Sequence, residues 1–271
     1  MTQDVWLVKH PYLQRMADLE ALINAAMAEV SIPGACVPSW DDYISDFHAG
    51  IPLLLSSRVA IDFRDMERVL TSLVEALALK LLQGKLAQDC RTLEDQLHGD
   101  LDSPRRALAW LLDNDSFTPT NPDLLRYLGW TVLARYLWPL VEAFSGWRDE
   151  ERWLRSYCPT CGALAAMAQL VGNDPGRLRF LWCGCCRSRW RYRRTGCPFC
   201  QSEDDHRLAV VAVEEEAGLR IDYCEACRGY VKTYEEQGSE TVLLADWTSL
   251  HLDIVARDRG LVRCAGSLYQ L

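Results

Sequence analysis

The sequence predicts an α+β protein: an N-terminal all-α helical bundle, then two tandem four-cysteine modules, then a C-terminal helix. Three observations predict it. The 271 residues include 12 cysteines, and eight of them form four CxxC pairs between Cys158 and Cys227. Residues 1–155 contain only Cys36 and Cys90, with helical periodicity and almost no strand signal. The residues around the CxxC pairs instead break into short β-compatible runs divided by turn residues. The expected division is a helical domain over 1–155, a first four-cysteine module over 156–195, and a second module with the C-terminal helix over 196–271.

Residues 11–30 place Leu19, Leu22, Ile23, Ala26 and Met27 on one helix face, and Pro33 with Gly34 ends the pattern. Ser39 is an expected N-cap for a short helix over 39–50, with Asp41 and Asp42 suited to its first turn. Residues 64–98 carry Leu70, Leu73, Val74, Leu77 and Leu81 on one stripe, and Gly84 is the expected break. Ser103-Pro104 and Asn121-Pro122 each supply a cap followed by proline at the first helical position. The helix after Asn121 turns Leu125, Leu128, Val132, Tyr136 and Leu140 inward, with a kink expected at Pro139. Five or six helices of this kind make a bundle. Trp110, Trp130, Trp138 and Tyr136 read as core packing rather than as a groove for a partner.

The four pairs are Cys158/Cys161, Cys183/Cys186, Cys197/Cys200 and Cys224/Cys227. A CxxC turn points two thiolates at one ion while its N–H groups donate to sulfur, and two turns complete a tetrahedral site. Twenty-one residues separate Cys161 from Cys183, and 23 separate Cys200 from Cys224. Both gaps suit a zinc-ribbon or rubredoxin-like module whose hairpins carry the turns. Corresponding cysteines recur 39 to 41 positions apart, the mark of tandem units. Sequential pairing is therefore favoured over an interleaved cross-brace. Cys158, Cys161, Cys183 and Cys186 form one site; Cys197, Cys200, Cys224 and Cys227 form the other. Four separate dithiol redox motifs are disfavoured by the matched spacing. Two metal ions are implied, and iron and zinc both accept four thiolates. A closed four-thiolate site leaves substrate no open position, so catalysis at the metal is not expected unless a ligand leaves. Cys185, inside the second turn, is a bystander, a spare thiol, an alternative ligand or a redox partner.

Residues 173–176 (Asn-Asp-Pro-Gly) form a turn between two strand-like runs, and residues 207–214 and 219–223 flank a second hairpin at 215–218. A strand over residues 187–194 would place Arg187, Arg189, Arg191 and Arg193 on one face and Trp190 and Tyr192 on the other. Those arginines are the candidate partner-binding residues, for an acidic protein surface or a nucleic acid. The plain alternative is a solvated outer face. Asp246 is expected to cap a last helix reaching about residue 258.

The net charge of −9 disfavours nucleic acid as the main partner. Residues 1–155 hold 15 Lys/Arg against 23 Asp/Glu, which leaves 14 against 15 in the remainder. No secretory leader is visible, and the most apolar stretch, residues 130–147, contains Arg135, Pro139 and Glu142. The expectation is therefore a cytoplasmic chain without membrane insertion. In that reducing compartment CxxC pairs read as metal ligands or redox centres, not disulfides. The five histidines show no HxxxH or HExxH pattern, and no Walker loop, GxGxxG or GxSxG is present.

Several segments recur in a recognisable order. Gly-Ile-Pro-Leu stands at 50–53, CPxCG at 158–162, and Leu-Arg-Phe-Leu-Trp-Cys enters CxxC at 178–186. An aromatic-basic strand, Cys224-x-x-Cys227-x-x-Tyr230-x-Lys232 and Ala245-Asp246-x-x-Ser249-Leu250-x-Leu252-Asp253 follow. In this order the chain resembles the formate dehydrogenase accessory (formation) protein family, FdhE type. The last two segments carry the resemblance, since CxxC pairs alone are unspecific. The resemblance implies a cytoplasmic, non-catalytic helper that contacts the formate dehydrogenase catalytic subunit during maturation. It also implies paired rubredoxin-like modules holding iron on the eight named cysteines. The alternatives are a zinc-ribbon nucleic-acid-binding protein and a rubredoxin-like electron carrier.

Overall fold

The computed structural model describes residues 1–269 apart from residues 31, 33, 59–61, 114, 174, 175, 214, 215 and 217. The helix stop expected at Pro33, the turn residues Asp174, Pro175, Glu215 and Ala217, and Glu214 at the end of an expected strand run lie outside the described residues. The helices, in order, are α1 (Gln3–Lys9), α2 (Gln14–Ala28), α3 (Trp40–Ala49), α4 (Arg64–Lys80), α5 (Lys85–Leu97), α6 (Ser103–Leu111), α7 (Pro122–Trp147), α8 (Glu150–Trp153), α9 (Glu240–Leu243) and α10 (Leu250–Asp258). The strands are β1 (Ala165–Val171), β2 (Leu178–Cys183), β3 (Arg189–Tyr192), β4 (Leu208–Ala212), β5 (Leu219–Cys224), β6 (Gly229–Tyr234) and β7 (Val262–Arg263). The α+β class, the helical N-terminal region and the C-terminal helix are as the sequence predicts. No helix among the described residues is long and apolar enough to cross a membrane.

The chain forms two compact units, each discontinuous in sequence. One comprises residues 14–38, 60–143 and 268–271, and is helical. Its α4 buries Met66, Val69, Leu70, Leu73, Val74, Leu77 and Ala78, the stripe the 3.6-residue period requires. In α7, Leu125, Leu128, Val132, Tyr136 and Leu140 are all buried, and the helix continues through Pro139. Asn121 caps it, its Oδ1 accepting from Leu124 N–H at 3.0 Å. The start of α6 differs from expectation by one residue: Asp102 flanks the helix, and Ser103 lies within it. Trp138 also departs from the core reading. It is 52% exposed, whereas Leu137 beside it is buried, because adjacent helical positions diverge by about 100°.

The other unit comprises residues 1–13, 39–59 and 144–267 and is built on a seven-stranded sheet. Strand order is β3-β2-β1-β6-β5-β4, with β7 paired to β6. All neighbours are antiparallel except β1–β6 and β6–β7. The repeat in the sequence is visible in the strands. Each four-cysteine module contributes a CxxC turn, two strands, a second CxxC turn and a third strand. The two sets fuse where β1 and β6 pair in parallel, Met167 opposite Lys232. Both central strands are buried along nearly their whole length, as strands covered on two faces must be.

Lys232 is the exception in composition, a lysine whose side chain is 1% exposed. Its Nζ lies 2.7 Å from Asp246 Oδ1 and 2.9 Å from Asp253 Oδ2, and it donates to the carbonyls of Asp246 and Ser249. Arg263 contacts both carboxylates at 2.7 Å, and Tyr230 donates to Asp253 Oδ1 at 2.7 Å. Two cations thus balance two anions. Burial raises the Asp246 carboxyl, but Lys232 and Arg263 outweigh it and hold that group well below the usual range. Asp246 is therefore not the cap of α10. A short 3-10 turn, Asp246–Ser249, precedes that helix, and the Asp246 side chain is committed to the two cations.

Candidate metal centres

Each CxxC pair sits in a tight turn with one shared feature. The residue after the second cysteine is left-handed in every case: Gly162 (φ 81°), Arg187 (63°), Gln201 (60°) and Arg228 (61°). Three of the four turns hold this conformation without glycine, at about 1–2 kcal/mol each. The turn closes through backbone bonds, Gly162 N–H to Cys158 O at 3.0 Å, Gln201 N–H to Cys197 O at 3.1 Å and Arg228 N–H to Cys224 O at 2.8 Å. Amides also point at sulfur, those of Thr160, Phe199 and Gly229 each lying 3.4 Å from Cys158, Cys197 and Cys227 respectively.

These turns bring the eight sulfurs into two sets of four, Cys158/Cys161/Cys183/Cys186 and Cys197/Cys200/Cys224/Cys227, all within 4.8 Å of one another in each set. Pairing is sequential, and the cross-brace does not occur. In the first set Cys158 and Cys186 sulfurs are 3.4 Å apart, and Cys161 and Cys183 are 3.5 Å apart. In the second the Cys197–Cys227 and Cys200–Cys224 separations are 3.7 and 3.8 Å. A tetrahedron with metal–sulfur bonds of about 2.3 Å has edges of about 3.8 Å, so both sets can hold a metal ion. All are free thiols.

Within the first set the thiols shift one another's protonation. In the first set burial raises the Cys186 thiol, while bonds from its three neighbours overcome burial at Cys158 and lower it. Four thiolates together would need a positive ion. In the second set burial pushes Cys197 up to about 12. Exposed Cys200 is instead lowered, chiefly by the Ser202 N–H.

The surroundings of the sites are unequal. The first is wrapped by residues 50–54: Leu53 N–H and Leu54 N–H donate to the carbonyls of Pro159 and Thr160, both at 2.9 Å, and Tyr157 donates to Gly50 O at 2.8 Å. Three of its sulfurs belong to buried residues, whereas Cys200 of the second set is exposed. Gly229 crowds that second set: an added Cβ would stand 2.8 Å from Cys264 Sγ and from Phe199 Cδ2, and 3.2 Å from Cys227 Sγ. Cys185 is half-exposed and outside both sets.

Of the candidate partner-binding residues, Arg189 and Arg191 lie on β3, with Trp190 and Tyr192 buried between and after them. Arg187 belongs to the CxxC turn and Arg193 follows the strand. Arg189 stacks over Phe180 at 3.8 Å, Arg191 pairs with Glu151, and Arg193 pairs with Glu203. The unforeseen groups are His10 and His251, which meet at Glu216. Their separation in sequence leaves no motif to read.

No family model matches the chain. Among curated proteins, it is 30% identical over 148 residues to an FdhE homologue of Aquifex aeolicus, covering 53% of this chain and 51% of that one. It is 30% identical over 184 residues to an FdhE homologue of Pseudomonas aeruginosa, covering 64% and 58%. For that of Stutzerimonas stutzeri the figures are 32% over 180 residues, 64% and 57%. The matched segments thus span little more than half the length of these relatives. Among solved structures, the crystal structure of the FdhE protein from Pseudomonas aeruginosa superposes with a TM-score of 0.60 at 22% identity, covering 95% of this chain and 88% of that one. That likeness shows a shared fold.

Proposed function

We propose, from the premise that this chain belongs to the FdhE family, that it assists maturation of a formate dehydrogenase as a non-catalytic accessory protein. Kinship with FdhE-named proteins is the observation that carries the reading. In it the chain works in the cytoplasm and binds the catalytic subunit of the enzyme. Cys158, Cys161, Cys183 and Cys186 ligate one metal, and Cys197, Cys200, Cys224 and Cys227 a second. Iron is the ion that the family leads us to expect, and zinc is the alternative. The metals stabilise the scaffold that the partner meets, since small thiolate modules draw folding energy from the ion.

The test is activation of formate dehydrogenase in a host lacking its own accessory protein. Cys224→Ser or Cys227→Ser should lower metal content and enzyme activation together, and co-purification of the catalytic subunit should fall with them. Full activation by a metal-free variant would sink the metal-dependent mechanism. Exposed Cys200 favours one second reading, a rubredoxin-like electron carrier, because electron transfer needs a metal edge near the surface. A colourless zinc protein with no reversible reduction would remove it. The nucleic-acid reading loses support from Arg191 and Arg193, whose charges already have partners in the chain.

A further inference from the structure

His10, Glu216 and His251 come from three distant parts of the chain and converge within one compact unit. His10 caps the C-terminus of α1, Glu216 lies between β4 and β5, and His251 stands in the first turn of α10. His10 Nε2 is 3.5 Å from Glu216 Oε2, and His251 Nε2 is 2.9 Å from Glu216 Oε1. One donor atom from each residue lies within 4.8 Å of the others. The two imidazoles stack with centroids 4.9 Å apart, and Trp6 covers His10 at 4.0 Å. His10 is 6% exposed, and the side chains of Glu216 and His251 are 9% and 15% exposed.

The geometry is that of ligands rather than of an ion pair. Tyr12 Oη lies 2.7 Å from His10 Nδ1. If Nδ1–H donates to that hydroxyl, Nε2 is a lone pair facing a carboxylate. If Tyr12 donates instead, or the ring is protonated, Nε2–H should donate to Glu216. Yet among the described residues neither His10 Nε2 nor either ring nitrogen of His251 has a partner in hydrogen-bond geometry. Buried polar atoms left so are costly. An ion between the three groups removes the cost. With metal–nitrogen and metal–oxygen bonds of about 2.0–2.2 Å, ligand atoms of a tetrahedral site stand roughly 3.3–3.6 Å apart, within the 4.8 Å that bounds the three donor atoms. The Tyr12 contact is then the outer bond that orients a ligating imidazole.

We propose that His10, Glu216 and His251 form a third metal site, which binds a divalent transition-metal ion such as Zn²⁺. Two imidazoles and a carboxylate are a different donor set from four thiolates, and three protein ligands leave coordination positions open. The site is independent of the cysteine sets and of the accessory role.

The test uses the full chain, reduced, with its thiolate sites filled by zinc and excess ion removed. Co²⁺ is then titrated in. The expected result is one further equivalent that adds no thiolate-to-cobalt charge-transfer absorbance. His251→Gln and His10→Gln should lose that equivalent while keeping the two thiolate-bound metals. Tyr12→Phe, at an exposed position, should weaken its uptake by about 10- to 100-fold. No third equivalent in the unaltered protein overturns the proposal. So does a third equivalent that raises the charge-transfer absorbance, or one that survives unchanged in both histidine variants. The absorbance reading decides the matter even where a histidine variant fails to fold.

Discussion

Lys232→Met removes one charge from the centre of the sheet and keeps the side chain's unbranched stem up to the ammonium. The ammonium is 1% exposed and makes two carboxylate contacts, at 2.7 and 2.9 Å. At an effective dielectric of about 20, each contact is worth roughly 6 kcal/mol of attraction. Taking the ammonium out of water costs several kcal/mol, and its removal leaves Arg263 facing both Asp246 and Asp253. The expected net loss is about 3–5 kcal/mol, the usual range when one partner of a buried pair is deleted. With a urea dependence near 2 kcal/mol per molar, the unfolding midpoint should fall by roughly 2 M. Tryptophan fluorescence in a urea titration measures it. The double variant Lys232→Met/Asp253→Asn restores charge balance and should recover much of the loss. A midpoint shift under about 0.5 M, or a double variant no better than the single, would refute the charge argument.

Three further outcomes follow from the same geometry. A strong chelator should strip the second cysteine set before the first, because Cys200 is exposed whereas the first set is wrapped by residues 50–54; comparing residual metal in Cys158→Ser and Cys200→Ser variants identifies the order, and simultaneous loss would count against it. Gly229→Ala should destabilise by about 1–3 kcal/mol and loosen the second set selectively, since its Cβ would press on Cys264, Phe199 and Cys227. Asp246 has a folded-state pKa below its unfolded value of about 3.9, so its stabilisation is present above about pH 4 and fades as pH falls through that value; acid unfolding curves should show a steeper decline for the unaltered chain than for Asp246→Asn, and parallel curves would contradict it.

What could be read from the sequence was what repeats locally. The stripe of α4 and the inward face of α7 obey the helical period, and both are buried. The cysteine sets were legible because the intervals within and between modules match, which only sequential pairing explains. Trp138 and Asp246 were misread because each fits its local pattern, an aromatic on a helix and an aspartate before one. Their placement is decided by partners or solvent outside that pattern. His10, Glu216 and His251 show the limit most plainly: no spacing rule joins residues brought together by the docking of α1 and α10 in one unit, where Trp6 Nε1 donates to Thr248 O at 2.9 Å.

The two segments that carry the family resemblance, Tyr230-x-Lys232 and Asp246 to Asp253, turn out to be halves of one electrostatic unit. A lysine on a central strand, covered on both faces, is costly alone. It is tolerated because the turn before α10 and the helix itself bring two carboxylates and two carbonyls to its Nζ. Neither segment is favourable without the other, so they constrain each other although they lie far apart on the chain. The same logic applies to Gly50 to Leu54 and the Cys158 turn, where the amides of one satisfy the carbonyls of the other. CxxC pairs recur in many unrelated folds because the turn is self-sufficient. Segments that complete each other across a fold are tied to that fold, whereas a CxxC turn alone is not.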